Sequence, residues 1–254
     1  MNASPSAFTS QEPGNAAAGP VVAIMQPYFL PYIGYFQLIA ACDVFVVYDN
    51  IKYTKKGWIN RNRMLRNGAD AMFSLPLQGA PDHLDVDQRQ LAATAERHRW
   101  LAQLKGAYGQ APHYAATLPL LERIAGIQED NLFRFLHGAL LATCAHLGID
   151  TPIRIASTIP ADHDLKSQDR VLAICEALGA SRYVNPIGGT ELYSRDTFSE
   201  HGIELNFLRA RALTYPQFAK ADAEFVPWLS IVDVLMFNPL ETVRGWVRTH
   251  YDLI

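Results

Sequence analysis

Ile24-Met25-Gln26-Pro27-Tyr28-Phe29-Leu30-Pro31-Tyr32-Ile33-Gly34-Tyr35-Phe36-Gln37, followed by Val44-Phe45-Val46-Val47-Tyr48-Asp49, is the stretch that decides the fold. Residues 21–25 form a short β-branched run and read as a strand. Residues 34–41 favour a helix that ends near Cys42-Asp43. Residues 44–48 are apolar without alternation, as in a strand buried on both faces of a parallel sheet. Strand, helix and parallel strand make a βαβ unit, expected to be right-handed. Open α/β sheets bind ligands at the carboxyl ends of their strands, and both runs here end in polar groups. The block reads as a site.

Working outward, Phe73-Ser74-Leu75-Pro76-Leu77 reads as a further strand, with Pro76 marking its edge or end. From 88 to 146 the pattern turns helical: Trp100, Leu101, Leu104 and Tyr108 recur at helical steps, as do Leu132, Phe133, Leu136, Leu140 and Cys144. Gly148 stands where that helix stops. Residues 152–156 read as strand and 167–178 as helix, with Ser167 as N-cap and Gly179 as terminator. Residues 182–185 and 203–207 are strands, and 228–237 and 241–251 are helices. The class is therefore α/β: a Rossmann-like, mostly parallel sheet with helices on both faces and a helical middle segment. One domain is expected over 20–254, with a helical insertion at about 88–148.

Residues 1–19 are small, polar and proline-containing, without lysine or arginine, and are expected to be a disordered tail and not a secretory signal. No apolar segment approaches the ~20 residues that span a bilayer, so no membrane insertion is expected and the cytoplasm is the default. The 254-residue chain is 49% hydrophobic with net charge −3. That balance argues against nucleic acid as a partner. Three cysteines without Cys-x-x-Cys spacing sit in apolar runs and read as buried thiols. Metal binding is not expected, since no histidine pair at ligand spacing stands beside a carboxylate. Gly-x-Ser-x-Gly, Gly-x-Gly-x-x-Gly and Walker loops are missing.

In the first loop, Pro27 and Pro31 freeze the path from strand to helix, so little entropy is lost on binding. Gln26 brings amide donors and an acceptor, and Tyr28, Tyr32 and Tyr35 bring rings with hydroxyls. Asp49, at the end of the second strand, is a turn residue or a group to orient or deprotonate a substrate amine. The next stretch carries Lys52, Lys55, Lys56, Arg61, Arg63 and Arg66 without an acid. A charge run is usually a solvated face. Here Tyr53, Trp58, Asn60 and Asn62 are interleaved with it, which suits a diphosphate clamp with a stacking ring. His163, between two aspartates, is a candidate base or a surface residue. Asn185 and Gly188 follow a strand, where glycine lets backbone approach a ligand. Tyr215, Gln217, Ser230 and Asp233 complete the candidates. Ser230 and Asp233, three apart, are expected on one helix face, with Asp233 half-buried and in need of a partner.

The layout is similar to that of HUP-type nucleotidyltransferases, whose His-x-Gly-His motif steadies a transferring phosphate. Here that place reads Tyr32-Ile33-Gly34-Tyr35. Tyrosine, with a pKa near 10, is neutral at pH 7 and cannot supply the charge. The motifs Gln26-Pro27-Tyr28-x-x-Pro31-Tyr32-x-Gly34-Tyr35-Phe36, Asp43-Val44-Phe45-x-x-Tyr48-Asp49, Gly57-Trp58-x-Asn60-Arg61-Asn62, Tyr215-Pro216-Gln217 and Leu229-Ser230-Ile231-x-Asp233 together resemble the WbqC-like family over residues 22–240. The chain departs from that pattern at Met25, where a histidine is usual, and at Pro239-Leu240.

The resemblance implies a role in bacterial surface-polysaccharide and O-antigen synthesis. It also implies N-acyl transfer from a thioester, acyl-CoA or acyl carrier protein, to the amine of a nucleotide-linked amino sugar. No bound cofactor is expected. In that reading Asp49 or Asp233 serves the amine, Lys55, Lys56, Arg61 and Arg63 hold phosphates, and Trp58 and Tyr28 stack on sugar or base. Gln26, Asn60 and Asn62 hydrogen-bond hydroxyls or the oxyanion. Two rivals stand beside it: a nucleotidyltransferase or ATP-dependent ligase, and a non-catalytic nucleotide-sugar-binding or assembly protein. Sugar, acyl group, donor and oligomeric state stay open.

Overall fold

The computed structural model describes residues 19–93, 98–218 and 224–254. The tail expected over 1–19 lies, apart from Gly19, outside the described residues. The expected βαβ unit is present: β1 (Val21–Met25), α1 (Ile33–Ala40) and β2 (Val44–Val47), with β1 and β2 parallel. β5 (Ile153–Ile155), β6 (Arg182–Pro186), β7 (Glu204–Ala210) and β8 (Tyr251–Leu253) complete a six-stranded sheet in the order β5-β2-β1-β6-β7-β8. All its pairings are parallel except β7–β8. The class is α/β with a Rossmann-like layout.

Both faces of the sheet are buried because successive side chains point opposite ways. Ala23, Phe45, Val47, Val184 and Leu208 join one core with α1 and the middle helices. Val22, Ile24, Val46, Tyr183, Leu205 and Phe207 join the other. That second core is closed by α5 (Ser167–Ala177), through Val171, Leu172, Ile174 and Cys175, and by α6 (Arg195–Glu200), through Phe198. Each fully buried Val, Leu, Ile or Phe contributes about 1.5–3 kcal/mol, so the unalternating apolar strands are the energetic centre. Cys42, Cys144 and Cys175 are buried free thiols, and burial pushes each up to about 12.

Between β2 and its neighbour β5 the described residues form a hairpin and three α-helices. The hairpin pairs β3 (Arg61–Arg66) with β4 (Ala69–Ser74). Two expectations change here. The cationic stretch is not all loop, since its second half is β3, and the strand expected at 73–77 begins earlier and ends before Pro76. The signal was Asn67-Gly68, whose φ values of 53° and 80° suit a tight two-residue hairpin turn.

The helices α2 (Arg99–Tyr108), α3 (Tyr114–Ala125) and α4 (Leu132–Leu147) bury Trp100, Leu104, Tyr108, Leu132, Phe133, Leu136, Leu140 and Cys144. The first described helix of this segment begins at Arg99; residues 89–93 are not helical, and residues 94–97 lie outside the described ones. Gly148 ends α4 at φ 68° and Gly179 follows α5 at φ 64°, both as expected. Lys166, not Ser167, flanks the start of α5, and no side chain caps it. The last helices are shorter than expected: α7 (Ile231–Phe237) and α8 (Leu240–Thr249). Buried Gln37 ties α1 to α8 by donating to the Trp246 and His250 carbonyls at 3.0 and 2.9 Å. Among the described residues no helix is long and apolar enough to cross a membrane.

Candidate functional site

Strand order places the site. From β1 the chain moves outward to β2 and β5 on one side, then returns to β6 and proceeds to β7 on the other. The connections at the carboxyl ends of β1 and β6 therefore diverge, and that switch point is where open α/β sheets hold ligands. A cavity of about 380 Å³ lies there. Tyr28, Pro31 and Tyr32 line it from the loop after β1, and Trp58, Asn62 and Arg63 from the cationic stretch. Ile187 and Gly188 contribute after β6, Ala210 at the end of β7, and Trp228 before α7.

Hydrogen bonds explain why these segments meet. The Phe29 N–H donates to the Trp58 carbonyl at 3.1 Å, and buried Asn62 donates from Nδ2 to the Phe29 carbonyl at 3.1 Å. Ser230 caps α7 by accepting from the Val232 N–H, and its hydroxyl donates to the Leu30 carbonyl at 2.7 Å. The Ser230 N–H donates to the Arg63 carbonyl at 3.0 Å. Loop, hairpin and helix start are thus one knot. Leu30 and Trp228 carry φ of 44° and 58°, a region bulky residues rarely adopt. Such residues cost about 1–3 kcal/mol each and persist only where surroundings hold them.

Arg63 is the cation of the cavity lining. Its Nη2 donates to the Trp228 carbonyl at 3.0 Å, Nη1 stands 3.5 Å from Asp70, and the guanidinium lies 5.9 Å from the Trp58 ring centre. Burial pushes the Tyr28 and Tyr32 phenols above their usual value, so both are neutral donors at pH 7. Trp58, Ile187 and Trp228 are among the few large apolar side chains left exposed, and all three face this cavity. The lining offers stacking surfaces, amide and phenol donors and one guanidinium. Among the described residues it contains no carboxylate, imidazole or thiol. Groups of these kinds can stack on a ring and pair with an anion.

Tyr28, Tyr32, Trp58, Asn62, Arg63 and Gly188 are the expected site residues that meet here. The two candidate catalytic aspartates do not line the cavity. Asp49 is buried at the end of β2, where its carboxylate accepts from the Ser157 N–H at 3.0 Å and from the Ser157 hydroxyl. Asp233 is fully buried and accepts from Tyr108 at 2.8 Å and from Tyr215 and Gln217 at 2.7 Å each. Burial raises its carboxyl above the usual range, and those three hydrogen bonds oppose the rise. The Tyr108 hydroxyl also accepts from the Leu65 N–H at 2.8 Å, which links Asp233 to β3. Gln217 in turn holds Val226 through both its amide atoms, steadying the segment that carries Trp228. Asp233 is a scaffold for the site. Ser230 caps the helix, and its carbonyl accepts from the Asp233 N–H at 2.9 Å, but its hydroxyl does not reach the Asp233 carboxylate.

The remaining candidates are placed elsewhere. Tyr35 is buried and donates to the Gln26 carbonyl at 2.8 Å, while the Gln26 side chain is exposed outside the lining. Tyr53 donates to Asn60, and Asn60 to the Leu75 carbonyl, so this pair braces the hairpin. Lys55 pairs with Asp82 on the surface, Lys56 is exposed, and Arg61 donates to the Gly57 carbonyl. Of the cations expected to form a diphosphate clamp, Arg63 lines the cavity and Lys55, Lys56 and Arg61 do not. Asn185 is buried and fills the space a side chain at Gly189 would need, which explains that glycine. Tyr215 lines a second hollow beside the first. His163 bonds the Ile159 carbonyl, away from the cavity. Pro31, Ile187, Ala210 and Trp228 were not among the expected site residues. Only Trp228, a tryptophan just before a capping serine, carried a readable hint. Among the described residues no cluster of histidine, cysteine or acid side chains could hold a metal ion.

Fold and site define a class: an α/β protein of Rossmann-like layout with an aromatic-lined crevice at its switch point. The chain belongs to the WbqC-like protein family, whose model matches residues 26–245. It is similar to "Uncharacterized protein Rv1507c" of Mycobacterium tuberculosis (strain ATCC 25618 / H37Rv), at 30% identity over 221 residues, covering 85% of this chain and 93% of the relative. No solved structure matches the chain.

Proposed function

We propose that the crevice binds a nucleotide-linked amino sugar and that the protein moves an acyl group from a thioester donor to the sugar's amine, in bacterial surface-polysaccharide synthesis. The observation that carries the binding half is the crevice itself, with four aromatic rings, Asn62 and the Arg63 guanidinium at the β1–β6 switch point. Its volume falls within the range of small-molecule sites. Tyr28, Tyr32, Trp58 and Trp228 would stack on sugar or base, Arg63 would meet a phosphate, and Asn62 and the phenols would take hydroxyls. Family membership supports the transfer half. A thioester is reactive enough for direct attack by a positioned neutral amine, so no serine or cysteine nucleophile enters. A cytoplasmic location accords with this reading, since both substrates are made there.

Incubation with a panel of nucleotide-linked amino sugars and acyl-CoA or acyl-carrier donors, read by product mass, tests the proposal. A mass gain equal to the acyl group on the sugar is expected. Confirmed sugar binding without mass gain across the panel would overturn the transfer half. One observation favours that second reading, a binding or assembly protein: among the described residues the lining has no carboxylate or imidazole to act as a base near pH 7. Nucleotidyl transfer is disfavoured because Tyr35 is turned to the Gln26 carbonyl and Tyr32 is a neutral phenol.

A further inference from the structure

Beside the crevice lies a second hollow of about 270 Å³. Its walls are Ile33, Leu213, Phe225, Leu229 and Val234, and it shares Tyr32 and Trp228 with the crevice. Those two rings stand edge to face, 6.2 Å between centres, and form a partition. The hydrogen-bonding groups at its border are largely occupied. The Tyr215 hydroxyl is turned to Asp233 at 2.7 Å, and Arg211 is paired with Asp252. Apart from the Thr214 hydroxyl at the rim and the two shared rings, the other side chains that line it are apolar.

Each partition ring has a specific backbone reason for its position: a positive φ at Trp228 and a missing Cβ beside Tyr32. Trp228 is held at positive φ while 48% exposed, so core burial is not what placed it. A Cβ at Gly34 would come within 2.3 Å of the Tyr32 ring, so glycine there lets that ring lie against the start of α1. Two hollows, one holding Asn62 and the Arg63 guanidinium and the other walled mainly by aliphatic and aromatic side chains, share only these two rings in their linings. That arrangement lets two ligands meet at one place.

We propose that the second hollow seats the acyl chain of the donor, and that the sugar amine meets the thioester carbonyl at the Tyr32–Trp228 partition. This rests on the transfer reading above. The amine nitrogen forms a bond to the carbonyl carbon, the carbon–sulfur bond breaks, and the leaving thiolate takes the electron pair. The proton released by nitrogen passes to that thiolate or to water. The products are amide and free thiol, with no oxidant or reductant involved.

The probe is a series of S-acyl N-acetylcysteamine thioesters, the tip common to acyl-CoA and acyl carrier protein, with acetyl, butanoyl and hexanoyl chains. Calorimetry on the full chain should show affinity rising about fourfold per added methylene until the hollow fills, from about 0.8 kcal/mol per buried CH₂. Thr214, an exposed residue at the rim, allows the hollow to be filled from outside the core. Thr214→Trp should weaken hexanoyl binding at least about tenfold while acetyl and nucleotide-sugar binding stay unchanged. Ala212→Phe serves if that variant fails to fold. A flat chain-length series, no binding at any length, or an equal loss for acetyl and hexanoyl overturns the seat. A rising series without sugar acylation removes the transfer reading and leaves the seat. Acylation with a flat series does the reverse.

Discussion

The carboxyl ends of β1 and β2 lie side by side in one sheet, yet one opens on a crevice and the other is closed. After β1, the loop meets connections from β6 that run the other way, and aromatic rings are left facing a hollow. After β2, Asp49 is bound by Ser157, Arg170 donates to Asn50 and lies 4.9 Å over the Tyr48 ring, and the Asp87 N–H closes on the Asp49 carbonyl. β2 sits between β1 and β5, with no reversal of strand order to part its loops. A polar residue at a strand's carboxyl end is thus not enough to make a site. Room comes from topology.

Removing the carboxylate on each side tests this contrast most severely. Asp233→Ala strands the Tyr108, Tyr215 and Gln217 donors in the interior and should cost about 3–5 kcal/mol in urea unfolding. Ligand affinity should fall with it, because Gln217 no longer holds the Trp228 segment. Asp49→Ala should cost less, about 1–3 kcal/mol, and leave nucleotide-sugar affinity of the folded protein within about twofold. If Asp49→Asn instead keeps its melting temperature and abolishes product, Asp49 acts in the chemistry and the contrast breaks.

Within the crevice the expected effects fall on binding. Arg63→Met keeps bulk while removing the charge and should weaken nucleotide-sugar binding about 10- to 100-fold by calorimetry, with the unfolding midpoint little changed, since its ion pair with Asp70 is half-exposed. Trp228→Gly relieves the positive φ, so stability should hold or rise by up to about 1 kcal/mol while ligand affinity drops about tenfold. Stability and affinity falling together would mean the tryptophan is core.

The smallest effect is electrostatic. Burial raises Asp233 above its ordinary 3.8, so the folded protein binds that proton more tightly than the unfolded chain. The stabilisation is complete below that unfolded value and is lost as pH rises through the folded one, by at most about 1.4 kcal/mol per pH unit. Urea midpoints of wild type and Asp233→Asn, followed upward from pH 4, should converge on different slopes, with the variant flatter. Identical slopes would show that its three hydrogen bonds cancel the effect of burial, and a wild-type midpoint rising with pH would show that they outweigh it.

Residues 21–48 announced their strand, helix and strand because each is encoded locally, by an unalternating apolar run or by helical spacing around an aromatic face. The middle helices were legible for the same reason, and so were the buried cysteines. The loop after β1 was recognisable as a binding element because two prolines and three tyrosines stand together in sequence. The hairpin was missed because its charges outweighed Asn67-Gly68 in the reading, although that turn was the better signal.

What only the tertiary structure decided is everything that depends on a distant partner. Asp49 and Asp233 look alike in sequence as carboxylates near strand or helix ends, and their donors lie on other elements: 108 residues away at Ser157, and 125 away at Tyr108. Strand order, which parted β1 from β6 and shut β2, leaves no trace in any window of residues. Neither do the positive φ of Trp228 and the ring of Tyr32 lying where Gly34 has no side chain. Local periodicity selects the elements; long-range hydrogen bonds and chain crossing select which of their ends remain open to a guest.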